Sequence, residues 1–267
     1  ALPIFIGSAM DSVVSPRTAS VLGQYGAMGV LNLEGVQTRY ENPDEVLEQI
    51  AGVSKQDYVS LMQKIYQQNP VKDELVVKRI KEIKESGAPT VVSSTPQNAF
   101  RFGEIASNAG VDAFLIQSTV VSTTHRSPDG INPLDLEGFV KQMSVPVMVG
   151  NSATYGVTLE LIKTGVDAVF VGIGPGAACT TRGVLGVGVP MATSVVDAVK
   201  ARNEYFEDPM CGSKCPTANS PLPIVSVVLW VPITSRNFSG CVLASSKPGC
   251  PGNGYISTFP LLTCLIP

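Results

Sequence analysis

The sequence predicts an α/β fold with a parallel sheet, on two observations. Short runs of apolar and β-branched residues recur along residues 1–208, and each run is followed by a stretch with helical periodicity. The runs are apolar almost throughout, which is typical of strands covered on both faces. Strand–helix units in series form parallel sheets with right-handed crossovers, so both an open doubly wound sheet and a (β/α)8 barrel fit this pattern.

Six strands are predicted in this part of the chain. They are Leu2–Ile6, Gly29–Leu33, Thr90–Ser93, Ala113–Ile116, Val145–Val149 and Ala168–Val171. In either fold the functional residues are expected at the carboxyl ends of the strands.

The segments between the strands carry helix start and stop signals. Asp73 is expected to cap one helix and Gly87 to end it, while Pro96 is expected to begin the next, which closes at Gly110. A third helix, Tyr155–Lys163, is predicted before Gly165. The longer connection from residue 42 to residue 68 predicts two helices.

Composition excludes several classes of function. Of 267 residues only 15% are charged and the net charge is −3, which lacks the electrostatic footprint of a general nucleic-acid binder. The single histidine, His125, excludes His-rich metal sites and is expected to be a solvated loop residue. No apolar run reaches the roughly 18 to 20 residues that cross a bilayer. The N-terminal residues lack the pattern of a signal peptide, so a cytoplasmic protein without a membrane partner is expected.

A change in composition divides the chain near residue 208. Residues 1–208 carry all 22 acidic residues, whereas residues 209–267 carry none and hold five of the six cysteines. We therefore predict a barrel portion over 1–208 and an atypical Cys/Pro-rich tail over 209–267, with a seventh strand possible in Leu222–Val231. Four tail cysteines suggest a zinc site, but their spacing is looser than that of a zinc knuckle. They are Cys211, Cys215, Cys241 and Cys250.

The segment after the sixth strand carries the strongest chemical signal. A buried strand leads into Gly172, Gly174 and Gly176, followed by Cys179 and Arg182. Glycines permit close approach of backbone groups to a ligand, so such a loop suits a phosphate or a monovalent cation. A match to the dinucleotide pattern G-x-G-x-x-A is weak, because that pattern normally opens the first strand–helix unit.

Cys179 has two interpretations on local grounds. A free cysteine in an intracellular protein is usually a small buried apolar residue. A cysteine after a glycine-rich loop and three residues before Arg182 also has surroundings that favour a nucleophilic thiolate.

Several motifs, in order along residues 2–207, resemble the IMP dehydrogenase/GMP reductase family, in particular its IMP-dehydrogenase-related branch. They are Pro3–Val13, Gly26–Val30, Gly150-Asn151, Gly165–Ala168, Gly172–Arg182 and Gly186–Pro190. The resemblance selects the (β/α)8 TIM barrel, incomplete or irregular at its C-terminal end, and implies that Cys179 is nucleophilic.

The resemblance implies oxidation at C2 of IMP through a covalent bond to Cys179, with hydride transfer to NAD or NADP. The implied roles follow the family motifs position by position. Catalysis falls to Cys179 and Thr181; nucleotide binding to Ser8, Met10, Asn151 and Ala177; cofactor binding to Gln117, Ser118, Thr119, Gly172, Ile173 and Gly174; and a potassium site to the carbonyls of Gly174, Gly176 and Cys179.

Departures from the family pattern leave alternatives open. Gln117-Ser118-Thr119 replaces an acidic stretch that contacts the cofactor ribose, and Phe170 and Ala177 replace a basic residue and a phosphate-binding serine. The late phosphate turns and the catalytic flap are not visible after residue 208. GMP reductase, which converts GMP to IMP with NADPH, and a catalytically inactive nucleotide-binding barrel are therefore retained as alternatives. Family analogy implies a homotetramer.

Overall fold

The structure is a computed structural model. It describes residues 6–54, 56–119, 121, 123, 134–176 and 179–207, together with the backbone of residues 226–229 and 242–244.

One sheet runs through the described residues, with its strands in chain order. The strands are β1 Ile6–Gly7, β2 Met28–Asn32, β3 Thr90–Ser94, β4 Ala113–Gln117, β5 Val147–Ser152, β6 Ala168–Val171, β7 Ser226–Leu229 and β8 Val242–Ala244. Neighbours from β1 to β7 are parallel, and β8 runs antiparallel to β7. Sequential order is the order of a barrel and not of a doubly wound sheet. No pairing joins β8 to β1 among the described strands, so the predicted incomplete barrel is confirmed.

The helices alternate with the strands. They are α1 Pro16–Gln24, α2 Pro43–Gly52, α3 Tyr58–Gln68, α4 Asp73–Glu85, α5 Ala99–Ala109, α6 Leu136–Gln142, α7 Tyr155–Lys163, α8 Thr181–Leu185 and α9 Met191–Glu207. The two helices predicted between residues 42 and 68 are α2 and α3. Among the described residues, no helix combines the length and apolar character that crossing a membrane requires.

Two local predictions need correction. The N-cap of α4 is Lys72 and not Asp73, because the Lys72 amide bonds to the Thr38 carbonyl and its extended backbone precedes the first helical turn. Asp73 lies inside that turn, where its carboxylate pairs with Arg101 at 2.6 Å. Pro96 begins a short 3₁₀ turn that precedes α5.

β6 has the predicted bounds, and among the described residues the other boundaries of the first six strands differ from the predicted ones by at most three residues. β5 begins at Val147 and not Val145, since Pro146 has no amide to donate to the ladder. Of the first predicted strand, Leu2–Phe5 lies outside the described residues, and β1 continues to Gly7. Within the predicted strand Leu222–Val231, the structure contains β7 over Ser226–Leu229. The domain boundary at residue 208 stays a prediction.

The apolar core has two layers, one on each face of the sheet. Between sheet and helices lies the larger layer, which includes Leu31, Val92, Phe114 and Phe102. On the inner face a smaller layer takes residues from each of the first six strands. Its buried members are Ile6, Met28, Val30, Val91, Leu115, Met148, Ala168 and Phe170. A sheet that buries its own concave face in this way holds its strand ends in a fixed rim.

Two phenylalanines on α5 test the outer layer. Phe102 is 1% exposed, whereas Phe100 is 47% exposed and makes an edge contact with Phe139. We expect Phe102→Ala to lower the free energy of unfolding by about 3–5 kcal/mol, because it leaves a cavity in the core. The matched change Phe100→Ala should cost about 1 kcal/mol, mainly from the lost ring contact. Urea unfolding followed by circular dichroism measures both, and equal costs would contradict the described packing.

Candidate active site

The predicted site residues lie at or just after the carboxyl ends of β1, β4, β5 and β6. Because these strands are parallel neighbours of one sheet, their ends lie along a single rim. After β1, Ser8 is buried and Met10 is 41% exposed. The turn is closed by the Met10 amide, which donates to the Ser8 carbonyl at 2.7 Å. Met10 thus presents an apolar side chain at the rim.

Backbone hydrogen bonds join the ends of β4 and β5. The Ser118 amide donates to the Gly150 carbonyl at 2.9 Å, and the Asn151 amide donates to the Ser118 carbonyl at 3.1 Å. The peptide bond between Gly150 and Asn151 is cis. The segment predicted to bind the cofactor therefore lies directly beside the residue predicted to lie under the purine.

Asn151 has an unusual side chain. Its amide oxygen Oδ1 is buried and accepts no hydrogen bond. A buried acceptor without a donor carries a desolvation cost of about 1–3 kcal/mol. At the rim of the sheet, a ligand N–H group is one way to remove that cost.

The loop after β6 is tied to its neighbours at both ends. The Gly172 amide donates to the Ser152 carbonyl at 2.6 Å, and the Val189 amide donates to the Ile173 carbonyl at 2.9 Å. Gly172 has φ +127° and Gly174 has φ +64°, conformations that side chains disfavour. The segment around Val189 is thus folded back onto the loop.

The glycines of this loop make room for the chain itself. A Cβ at Gly172 would lie 2.7 Å from Cε of Met191, and one at Gly174 would lie 2.9 Å from the Val187 carbonyl oxygen. A Cβ at Gly188 would lie 2.5 Å from Cγ of Arg182. At these three positions the close approach that the glycines permit is internal packing, which the sequence interpretation did not anticipate.

Cys179 lies on the same loop as a half-buried free thiol. Its amide donates to the Gly176 carbonyl at 3.2 Å, and Nη2 of Arg182 donates to the same oxygen at 3.2 Å. Thr180 precedes α8, and Thr181 is the first residue of that helix. The structure therefore places the two residues predicted to be catalytic in one short segment. Ala177, the fourth residue predicted to bind nucleotide, lies outside the described residues.

The chemistry of the predicted potassium site suits a monovalent cation, since backbone carbonyls of a glycine loop are its three donors. The Gly176 carbonyl already accepts two N–H groups, from Cys179 and Arg182. A cation at this oxygen would compete with the Arg182 guanidinium. The three carbonyls are thus the right type of donor for a monovalent cation, although Arg182 already occupies one of them. The potassium site stays a prediction.

Several other candidates from the sequence are not described by the structure. His125 and the four cysteines of the zinc alternative lie outside the described residues. Within the described part of the chain, no cluster of three His, Cys, Asp or Glu side chains is placed to hold a metal ion. Phe170, which replaces a basic residue of the family, is buried in the inner layer against Gly150.

Sequence reasoning missed a polar network beside the β1 turn. Asp11 belongs to a motif of the resemblance, yet it received no role. Its Oδ2 accepts hydrogen bonds from the Val36 amide at 2.8 Å and the Tyr66 hydroxyl at 2.9 Å. Tyr66 lies 55 residues away on α3. A carboxylate in the first family motif was the available signal, but nothing in the spacing pointed to its partner.

Gly174 and Gly183 test whether internal packing sets the loop. Gly174→Ala should strain the backbone by about 1–2 kcal/mol, because φ is positive there, and would also press on the Val187 carbonyl. The matched change Gly183→Ala meets open space inside α8 and should be neutral or stabilising. Hydrogen–deuterium exchange over residues 173–189 should rise only in the first variant. Unchanged exchange in Gly174→Ala would show that the loop is not held by these contacts.

Comparison with known proteins gives a consistent result. A family model described as IMP dehydrogenase / GMP reductase domain matches residues 1–212. An uncharacterized oxidoreductase of Mycolicibacterium smegmatis is 35% identical over 204 residues, which are 74% of this chain and 54% of the relative. An inosine-5'-monophosphate dehydrogenase of Rhizobium tropici is 42% identical over 113 residues, covering 42% of this chain and 21% of that enzyme.

The solved structures include an IMP dehydrogenase/GMP reductase-like protein from Corynebacterium glutamicum. It superposes with a TM-score of 0.70 at 28% identity, over 77% of this chain and 54% of that one. The chain spans about half the length of the mycobacterial relatives that it matches. Since the family model covers most of the sequence and the barrel-type fold agrees, this chain belongs to the IMP dehydrogenase/GMP reductase family.

Proposed function

We propose that the chain carries the thiol half of a purine-nucleotide oxidoreductase that oxidises IMP at C2. The observation that carries this proposal is the position of Cys179. Its thiol is half-buried on a loop tied to the end of β5, the strand that brings the unsatisfied Asn151 amide oxygen to the rim. A nucleophile on the same rim as an acceptor for a base N–H group suits attack on a nucleobase.

The reaction balances as two successive steps at C2. Sγ of Cys179 forms a bond to C2 of IMP, and a hydride leaves C2, so that a covalent thioimidate remains. Water then adds to C2, the bond to sulfur breaks, and the oxidised nucleotide leaves with the thiol restored. A nicotinamide cofactor, NAD or NADP, supplies the hydride acceptor when it is bound.

The remaining residues of the rim orient the nucleotide. Ser8 and Met10 would line one side of the purine, while the Asn151 oxygen would accept a hydrogen bond from the base. Thr181, two residues after the nucleophile, would hold the water that resolves the thioimidate. Ala177 would contact the nucleotide through its backbone.

The two segments predicted to bind the cofactor, Gln117–Thr119 and Gly172–Gly174, would lie next to the purine. Ser118 is bonded through its backbone to Gly150 and Asn151, so Gln117–Thr119 flanks the nucleotide side of the rim. Hydride transfer needs the nicotinamide and purine rings in contact, and the backbone bonds of Ser118 to Gly150 and Asn151 support a cofactor position next to the purine. On the other flank, Gly172, Ile173 and Gly174 would present backbone and one buried side chain to the cofactor.

A potassium ion would be held by the carbonyls of Gly174, Gly176 and Cys179. Its contribution would be to fix the shape of the loop, and hence the position of Sγ. By analogy with the family we further propose a homotetramer in the cytoplasm.

One structural feature favours a second candidate, a barrel that binds nucleotide without turnover. β8 runs antiparallel to β7, so the last described strand does not end at the rim as it would in a complete barrel. GMP reductase remains a third candidate, because the residues at the rim serve either direction.

Cys179→Ser tests the nucleophile. We expect kcat for IMP oxidation to fall by at least about a thousandfold, because a hydroxyl does not replace the thiolate. Binding of IMP, measured by calorimetry, should persist. Intact-mass analysis of the wild-type protein with IMP and NAD should show a covalent nucleotide adduct that is absent in the variant.

The matched control is Cys241→Ser, which alters a cysteine to which the proposal assigns no role and should keep full activity. NADPH consumption with GMP in place of NADH formation with IMP would assign the reductase reaction. Nucleotide binding without either reaction would support the inactive barrel. Turnover by Cys179→Ser at the wild-type rate would refute the proposal.

A further inference from the structure

A hydrogen-bonded network joins α3 to the turn after β1. The Asp11 carboxylate accepts the Tyr66 hydroxyl at 2.9 Å and the Val36 amide at 2.8 Å through the same oxygen, Oδ2. Asp11 thereby connects three separate segments, the β1 turn, the 3₁₀ turn after β2, and α3. It immediately follows Met10.

Tyr66 is held in place by a second group, Arg39. Nη1 of Arg39 donates to the carbonyls of Tyr66 at 3.1 Å and Asn69 at 2.7 Å, while Nε donates to the Glu34 carbonyl at 3.2 Å. The guanidinium also lies over the Tyr66 ring, 4.9 Å from its centroid. The end of α3 is therefore fixed by polar contacts, and Ile65 is the one residue of that helix that is fully buried.

The orientation of Asp11 is set by packing as well as by hydrogen bonds. A Cβ at residue 35 would lie 1.8 Å from Oδ1 of Asp11, so only a glycine leaves room for this carboxylate. Oδ1 itself is buried without a hydrogen-bond partner. The Asp11 carboxylate thus lies in a tightly confined space. The Val36 amide and the Tyr66 hydroxyl, both at Oδ2, are its hydrogen-bond donors.

Burial makes those two donors important. It raises the pKa of Asp11 above its ordinary value, while the Val36 amide, the Tyr66 hydroxyl and the Arg39 charge act against that rise. Loss of one donor to a buried carboxylate leaves the charge poorly solvated. The carboxylate would then move toward solvent or another donor, and the turn that carries it would move too.

The turn transmits such a movement to Ser8 and Met10. The Met10 carbonyl accepts the amides of Val13 and Val14, both at 2.9 Å, and the Met10 amide is bonded to Ser8. Asp11 lies within the turn that these hydrogen bonds close, between Met10 and Val13. A rotation at Asp11 therefore displaces Met10, which is the exposed apolar side chain of the turn.

We infer that Asp11 is a positioning residue, which uses Tyr66 of α3 to hold the Ser8–Met10 turn in the orientation that receives a purine nucleotide. This inference rests on the proposed function, which places the nucleotide against Ser8 and Met10. Helix α3 accordingly acts as a support for the nucleotide pocket, with the hydroxyl of Tyr66 as the point of coupling.

Tyr66→Phe and Tyr40→Phe form a matched pair that tests the inference. The Tyr40 hydroxyl donates to the Ile65 carbonyl on the same helix at 2.9 Å, but it is not bonded to Asp11. Both changes remove one hydroxyl that anchors α3. Tyr66→Phe should weaken IMP binding about tenfold in calorimetry and raise KM by the same factor, with kcat within about twofold. Tyr40→Phe should leave both constants within about twofold.

Asp11→Asn provides a second route to the same coupling. Asp11→Asn removes the carboxylate charge that accepts the Tyr66 hydroxyl and should weaken IMP binding. The double variant Asp11→Asn/Tyr66→Phe should bind IMP little more weakly than Asp11→Asn alone. Equal effects of Tyr66→Phe and Tyr40→Phe on IMP binding, or additive losses in the double variant, would overturn the inference while the proposed function stands. A wild-type protein that binds neither IMP nor GMP would overturn the proposed function, and this inference with it.

Discussion

The backbone hydrogen bonds between the ends of β4, β5 and β6 are the interaction on which the site depends. Ser118 is joined to Gly150 and Asn151, and Gly172 is joined to Ser152 by a bond of 2.6 Å. These bonds extend the parallel ladder past the last residues of the strands, so three loops leave the sheet in a fixed relation. Three candidate groups take their positions from these strand ends: Asn151 directly, Ser118 through one pair of bonds, and Cys179 through the loop that starts at Gly172.

The loop that carries Cys179 is stabilised by packing against its own continuation. Arg182 contributes its aliphatic stem to the space left by Gly174 and Gly188 and its guanidinium to the Gly176 carbonyl. Arg182 therefore fills the space that two glycines leave. It also donates to the Gly176 carbonyl, the same oxygen that accepts the Cys179 amide. These contacts are internal, so they hold the described part of the loop, around Gly174, Gly176, Arg182 and Gly188, without a ligand, which reduces the ordering cost of binding.

Much of the fold follows from local signals, and the failures have identifiable causes. Apolar runs located the first six strands, because a short and almost entirely apolar run is typical of a strand that is covered on both faces. The N-cap of α4 was misplaced by one residue because a long-range bond from Lys72 to Thr38, which no local pattern encodes, fixes the start of the helix. For the same reason the partner of Asp11 was not predictable, as Tyr66 lies on a connection whose packing the sequence does not specify. The family motifs imply a nucleophilic role for Cys179. The local sequence around Cys179 alone leaves both a buried and a nucleophilic role open.

The last described helix, α9, buries a cationic side chain. Arg202 on α9 is 7% exposed, and burial lowers its pKa. Its guanidinium bonds to the Asn203 side chain on the same helix. A buried cation is stabilised far better by a carboxylate than by a neutral amide. Residues 209–267 contain no Asp or Glu, so they have no carboxylate side chain to offer. Among the described residues, the buried Arg202 guanidinium is therefore held by a neutral amide, at Nε–Oδ1 and Nη2–Oδ1 distances of 3.2 and 2.8 Å.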